Sequence, residues 1–234
     1  MIIHQLIGHY LKKQDDTAFY LIQAQDAVRW IESCGVVLGP KSRVLDIGCG
    51  HGVFGEQFRK RGCEVVFSDV ENLLAPHLAG SPFRAFDIDR EDISKLGEYD
   101  LVLCSNVYEH LTKPRQFLDN VHKILSPQGK LYLSWTNWLS PWGGHEFSPF
   151  HYLGPNLGHR VYDRIVKKPR KHTPFVCLFP TYIGAVMKHI RRSPNLRMSR
   201  VAPRYYTEFS FIMRLPIVRE FLAWNCAMLI ERKV

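Results

Sequence analysis

The chain has 234 residues, 46% apolar and 23% charged, with 14 Pro and 16 Gly; this is enough for a sizeable core and excludes a disordered or collagen-like chain. No apolar run reaches the roughly 18 to 20 residues that span a bilayer, and the opening MIIHQLIGHYLKKQDD lacks a basic n-region and a cleavage site, which disfavours secretion or membrane insertion. The formal charge of +9 lies entirely beyond residue 144: residues 1–144 carry 15 Lys+Arg against 17 Asp+Glu, and residues 145–234 carry 16 against 5.

Residues 16–34 predict a helix with Asp16 near its N-cap, Ala24, Ala27, Val28 and Ile31 along one face, and Gly35 at its end. RVLDI (43–47) is an apolar run of strand length, followed at once by GCGHG and by VFGEQFRKR, a helix that stops at Gly62. EVVFS (64–68) repeats the strand pattern, with a helix expected near 71–79 and a short strand at FRAF (83–86). DLVLC (100–104) is apolar without alternation, as a parallel strand covered on both faces would be, so these elements predict a doubly wound α/β sheet.

The next helix is expected to be capped by Thr112, with Pro114 in its first turn and Phe117, Leu118, Val121, Ile124 and Leu125 on one face. SPQG (126–129) predicts a turn into the strand KLYLSW (130–135). From 136 to 158 there are too many Pro, Gly and Asn for regular structure, and so long a loop in a compact domain predicts a functional lid. The tail predicts a helix at 181–192, a strand near 196–203, one or two short helices around Pro216 and a last strand at 226–233. Cys34, Cys49, Cys63, Cys104, Cys177 and Cys226 show no CxxC pairing; they read as reduced thiols and point to a cytoplasmic location.

VLDIGCGHG (44–52) carries the chemistry, because a glycine turn after a buried strand brings backbone close to a ligand and exposes a helix N-terminus. The pattern is GxGxG (Gly48, Gly50, Gly52), whereas a dinucleotide fingerprint wants a small residue at Val53. Asp46, two residues before the turn, suits a cationic ligand better than a pyrophosphate, or else satisfies backbone donors of the turn. Asp69 falls where a carboxylate accepts hydrogen bonds from a ribose diol, and Asp87 and Asn106 continue a series of acids and amides at successive strand ends.

With VLDIGCGHG, EVVFSDV, AFDID, YDLVLCSNVYEHL and LSPQGKLYLSW in order over about residues 40–136, the sequence resembles the class I S-adenosylmethionine-dependent methyltransferases, in their quinone-biosynthesis-like (type 11) small-molecule branch. The resemblance implies a Rossmann-like seven-stranded sheet, mostly parallel with an antiparallel last strand, and S-adenosyl-L-methionine as cofactor. It implies a cofactor set of Asp46, Gly48, Cys49, Gly50, Asp69, Val70, Asp87, Ile88, Ser105 and Asn106, with Gly48 and Gly50 at the methionine, Asp69 at the ribose, Asp87 and Ile88 at the adenine, and Ser105 or Asn106 near the sulfur. A single methyltransferase domain over 1–234 is expected: a core through 136, a substrate lid insertion at 137–180, and the rest of the sheet with basic helices at 181–234. Some relatives place two glutamates and a histidine near Glu109 and His110 to bind a metal; Asn106 stands where the first glutamate would fall, so no metal is expected.

Methyl transfer from a sulfonium needs alignment first, and a base helps where the acceptor is a hydroxyl. His145, His151, Glu146 and His110 are the candidate catalytic groups; HE after GG is not HExxH, which excludes a zincin. Trp138, Trp142, Phe147, Phe150 and Tyr152 either wall an apolar pocket or pack the lid shut. RIVKKPRKHTPF (164–175) and HIRRSPNLRMSR (189–200) suit an anionic or lipid-linked acceptor or peripheral contact with an anionic membrane. The expected activity is methylation of a small acceptor, at an oxygen of a lipid- or sugar-containing compound. The alternatives are an RNA methyltransferase, for which no RNA-binding module is evident, and a catalytically idle cofactor-binding scaffold.

Overall fold

The computed structural model describes residues 2–11 and 16–233. The chain runs through α1 (Ile3–Leu11), α2 (Asp16–Ser33), β1 (Arg43–Ile47), α3 (Val53–Arg59), β2 (Glu64–Asp69), β3 (Phe83–Ala85), β4 (Tyr99–Ser105), α4 (Pro114–Asn120) and β5 (Leu125–Thr136). It continues through α5 (Pro155–Ile165), α6 (Ile183–Arg192), β6 (Leu196–Pro203), α7 (Pro216–Leu222) and β7 (Asn225–Arg232). The strands form one seven-stranded sheet in the order β3-β2-β1-β4-β5-β7-β6. β1 to β5 pair in parallel, and β7 is antiparallel to both of its neighbours. This is the doubly wound sheet that the sequence predicts.

The unalternating runs are buried on both faces for a visible reason. Leu45, Ile47, Val102 and Cys104 point into one apolar layer with Phe117, Leu118, Val121, Ile183 and Ile190 of α4, the turn after it and α6. Val44, Leu101 and Leu103 point the other way, onto Ala24, Ala27, Val28 and Ile31 of α2 and Phe54 and Phe58 of α3. Successive side chains of a strand alternate between faces, so a strand with a helix layer on each side must be apolar at every position. Among the described residues no helix is long and apolar enough to cross a membrane.

Several local expectations change. In place of a helix at 71–79 there is one 3-10 turn, Pro76–Leu78. The Asn72 side chain accepts the Leu74 N–H, a turn that competes with helix, and Pro76 disfavours helical backbone at Ala75. Thr112 does not cap α4: the Asp89 carboxylate accepts the N–H groups of Thr112 and Lys113 at 3.0 and 3.1 Å. SPQG is a bulge within β5, since Leu125 pairs with Tyr99 and Lys130 with Leu101. The stretch expected to be irregular contains 3-10 turns at His145–Phe147 and Phe150–Leu153, and α5 follows, opened by Pro155 in its first turn. The cap expected of Asp16 falls on a side chain outside the described residues.

β7 joins β6 to the rest of the sheet, and its Ile230 is wholly buried between layers. Ile230→Ala is expected to cost about 2 to 5 kcal/mol of stability through lost burial and the cavity left behind, read as a lower urea midpoint with an unchanged slope.

Candidate active site

The turn after β1 is held from beneath. The Gly48 and Cys49 N–H groups donate to the Ser68 carbonyl at 2.7 and 3.1 Å, and Gly50 N–H donates to an Asp69 carboxylate oxygen at 2.9 Å. Gly48 has φ +70°, and a side chain there would collide with Val107 in the loop after β4. Gly50 has φ +49°, and the side on which a Cβ would project is open. The backbone therefore forms an uncovered cradle at Gly50 that a side chain would fill. Asp46 lies under this cradle rather than on its surface: it is 2% exposed and accepts the Gly55 N–H of α3 at 2.8 Å. The backbone donor it satisfies belongs to the first turn of α3 rather than to the glycine turn itself, whose N–H groups go to Ser68 and Asp69.

Asp69 divides its oxygens, one to Gly50 and the other to the Val70 N–H at 2.8 Å, and remains partly exposed beside the exposed Val70. Burial, with Asp46 and Asp69 nearby, pushes the Cys49 thiol far up, so it stays protonated. Asp87 lies beyond β3, where its carboxylate accepts the Asp89 N–H and pairs with Arg90, while Ile88 packs against the core. Ser105 meets the Ser134 hydroxyl at 3.0 Å.

Asn106 takes a left-handed φ of 57° and sits at a hub. It donates to Gln23 of α2 at 3.2 Å and accepts from Arg204 at 2.9 Å and from Asn225 of β7 at 3.4 Å. Arg204 is 2% exposed, with its guanidinium 5.2 Å from the Phe54 ring centre just past the glycine turn. Its Nε and Nη2 are buried without a partner, and among the described residues no carboxylate pairs with it. Two free donors on a buried cation fit a carboxylate, and the cradle at Gly50 fits a ligand's close approach to backbone. The residues present thus fit an amino-acid-bearing nucleoside such as S-adenosylmethionine.

Next to this hub lies a cavity of about 420 Å³. Ile3, Leu6 and Ile7 of α1 and Phe19 of α2 make an apolar wall, and Asn106, Glu109, His110, His145, Glu146 and His172 make a polar one. His172 Nδ1 lies 2.8 and 2.9 Å from the two Glu146 oxygens, and His110 Nδ1 lies 2.6 Å from the Cys177 carbonyl. Burial first, then the neighbouring His110 and His172, pull His145 down to about 4, so it is neutral at physiological pH. Burial works against the Glu146 carboxylate, but its bond to His172, a backbone hydrogen bond and the nearby His172 and His145 together outweigh that and hold the carboxyl below its usual range.

The structure thus brings together His110, His145 and Glu146. His151 is elsewhere: fully buried, it is absent from the cavity wall and bonds through Nε2 to the Ser140 carbonyl at 2.9 Å. Of the aromatics in the segment expected to be a lid, Trp138 and Phe147 form a small core with Tyr162 and Leu178, Phe150 packs against it, Tyr152 is exposed, and Trp142 reaches the cavity. His172, Gln23, Arg204 and Asn225 are the site residues that sequence reasoning misses. His172 is hidden in a basic run, and nothing local singles out the other three.

Sheet order, glycine cradle and strand-end acids together define a class I S-adenosylmethionine-dependent methyltransferase. The chain belongs to the methyltransferase-domain family, whose pattern it matches over residues 20–165. It is 29% identical over 228 residues to an uncharacterized methyltransferase of Mycobacteroides abscessus, covering 91% of this chain and 86% of that one. An uncharacterized methyltransferase of Mycobacterium leprae is 29% identical over 246 residues, covering 97% and 88%. Among solved structures, an S-adenosylmethionine-dependent methyltransferase of Archaeoglobus fulgidus superposes with a TM-score of 0.56 at 16% identity, covering 92% and 94%. The magnesium protoporphyrin IX methyltransferase of Synechocystis, solved with bound SAH, gives a TM-score of 0.55 at 16% identity, covering 92% and 83%.

Burial raises the Asp46 carboxyl from 3.8 to about 7, with the Gly55 N–H opposing and Asp69 adding to the rise. A carboxyl raised on folding contributes its full stability below about pH 4 and loses that contribution as the pH climbs to about 7. Asp46→Asn keeps an acceptor for Gly55 and carries no charge. Its stability relative to the native chain is expected to rise between pH 4 and 7, by a few kcal/mol at most, and to stay level above; urea unfolding at pH 5 and pH 8 measures the difference.

Proposed function

We propose that the protein methylates an oxygen of a small, lipid- or sugar-containing acceptor. The observation that carries this reading is the cavity, whose apolar wall faces a cluster of histidines and which Asn106, in the loop after β4, also lines. S-adenosylmethionine, when bound, supplies a methyl group on a sulfonium that is already a good leaving group, so alignment does most of the work. We assign Gly48, Cys49 and Gly50 to the methionine portion, Asp69 to the ribose diol, Val70, Asp87 and Ile88 to the base, and Ser105 and Asn106 to the neighbourhood of the sulfur. Arg204, with two unpartnered donors, is assigned to the methionine carboxylate.

The acceptor's reacting oxygen lies against the histidines. Glu146 orients His172 and stabilises the imidazolium that forms when His172 takes the acceptor's proton, the arrangement in which a carboxylate best supports a histidine base. His145 and His110 keep that oxygen from bulk water.

A lipid portion is favoured by the surface of residues 207–222. Phe209, Phe211, Leu215, Ile217, Phe221 and Leu222 are all exposed there, Ile217 at 76%, and Arg214 lies among them. Trp224, two residues past Leu222, belongs to the cavity wall. The segment itself balances Arg214 and Arg219 against Glu208 and Glu220, but residues 145–234 around it carry 16 Lys+Arg against 5 Asp+Glu, and an exposed apolar patch in so basic a part of the chain fits the face of an anionic bilayer. With six free cysteines, this reading makes the protein a cytoplasmic enzyme that works at the membrane surface.

Incubation with methyl-labelled cofactor and a cell extract is expected to put the label into organic-soluble material; label in the RNA fraction would overturn the acceptor class, and no transfer at all would leave an idle scaffold. Asp69→Ala is expected to weaken S-adenosylhomocysteine binding by about 1.5 to 3 kcal/mol, roughly 10- to 150-fold; unchanged affinity by calorimetry removes Asp69 from the site. The protein should co-sediment with phosphatidylserine-containing vesicles and less with neutral ones, and Ile217→Asp combined with Phe221→Asp should release it. Equal binding by this variant would take the patch out of the account.

A further inference from the structure

We propose that His110, His145 and His172 form a binding site for a divalent transition-metal ion of the zinc class, open on the cavity side. The three residues come from two distant parts of the chain, the turn after β4 and two segments of the lid. Each offers one ring nitrogen, and these three atoms lie within 4.8 Å of one another. The ring centres are 5.4 Å apart for His110 and His145, 5.1 Å for His110 and His172, and 4.6 Å for His145 and His172. A tetrahedral ion with bonds of about 2.0 Å holds its ligand atoms about 3.3 Å apart, so ring rotations that move each nitrogen by roughly an ångström close the set.

The surroundings are those of metal-binding histidines. A ligating imidazole characteristically donates its other N–H to a carboxylate or a carbonyl, which fixes tautomer and ring orientation. His172 does this through Nδ1 to Glu146, and His110 through Nδ1 to the Cys177 carbonyl, so each directs Nε2 away from its partner. His145 Nδ1 is buried with no hydrogen-bond partner, and its backbone takes a left-handed φ of 50° to bring the ring into the cluster. Ring contacts alone leave the buried His145 nitrogen unsatisfied, a cost that a shared cation would remove.

The donor set also selects the ion. Imidazole nitrogens suit zinc, copper, iron and nickel, whereas magnesium and calcium require oxygens. Asn106 in place of a glutamate, tied to Gln23, Arg204 and Asn225, argues only against a hard cation. Glu109 turns a carboxylate oxygen to the Thr136 N–H, so the site proposed is not the two-glutamate arrangement of some relatives. Three protein ligands leave a fourth position, and all three histidines line the acceptor cavity. An ion there would polarise an acceptor oxygen in place of His172. That role rests on the methyl-transfer reading, whereas the metal site itself does not.

The test uses the full chain, stripped with chelator and titrated with Zn²⁺ by calorimetry and with Co²⁺ by visible absorption. One equivalent should bind, with the intense visible bands of four-coordinate cobalt. His110→Ala and His172→Ala should lose that equivalent, and Glu146→Gln should weaken it about 10- to 100-fold. S-adenosylhomocysteine binding, measured on the same samples, shows whether each variant is folded; should a histidine variant fail there, Glu146→Gln still decides. Absence of stoichiometric binding, or binding unchanged by all three substitutions, overturns the site. If the metal fails to bind while S-adenosylhomocysteine binds, this inference alone is lost; if S-adenosylhomocysteine fails to bind the native chain, the methyl-transfer reading falls instead.

Discussion

The gap between the carboxyl ends of β1 and β4 is the constraint on which the rest of the structure depends. β2 and β3 lie on one side of β1, and β5, β7 and β6 lie beyond β4, so the connections leaving these two neighbours run in opposite directions and open a crevice between them. What faces the crevice is whatever immediately follows a strand: the glycines after β1, Val70 after β2, Asn106 to His110 after β4. Gly48 controls its width. Any larger residue there would meet Val107, so the two loops approach closely only because one of them lacks a side chain.

The parts of this arrangement that could be read from sequence are those whose cause is local. RVLDI and DLVLC are readable because a strand between two helix layers has no polar face to interrupt it, and both lie within a residue of where they are expected. The glycine turn is readable because positive φ selects residue type directly. Where partners are remote, the signal fades. Thr112 is of a residue type that caps helices, yet no side chain caps α4, and Asp89, on the connection from β3, instead accepts the Thr112 N–H just before the helix. α5 lies among so many Pro and Gly residues that its periodicity is masked, and it is held by a lid core of Trp138, Phe147, Tyr162 and Leu178 drawn from across some 40 residues. His172 is meaningful only once Glu146 and His110 are seen beside it.

The segment after β5 divides its aromatic residues between its own core and the cavity. Packing of Trp138 and Phe147 keeps the 3-10 turns in place, and this fixes the direction in which His145 and Glu146 point; Trp142 alone among the five contributes to the cavity. The opposite wall comes from α1 and α2, at the other end of the chain. On the reading proposed above, an acceptor in this cavity would meet hydrocarbon on one side and imidazole on the other, which favours an amphiphilic molecule over a wholly polar one. A nucleic-acid backbone would instead ask for cations along an open groove.

Asn106 explains how the two walls and the cradle act as one unit. Asparagine is among the few side chains that tolerate left-handed backbone, and here its amide is held from three remote directions, by Gln23 near the start of the chain and by Arg204 and Asn225 near its end. The α2 contact with the cavity and the position of Arg204 are thus set by the same residue that follows β4. A buried guanidinium with no carboxylate within ion-pair distance among the described residues is costly, and one hydrogen bond to an amide, the faces of Phe54 and Tyr205 and the more remote charge of Asp26 offset that only in part. The arrangement makes physical sense where an anionic group of the methyl donor completes it, and on that account binding of the donor would also stiffen the wall against which the acceptor must align.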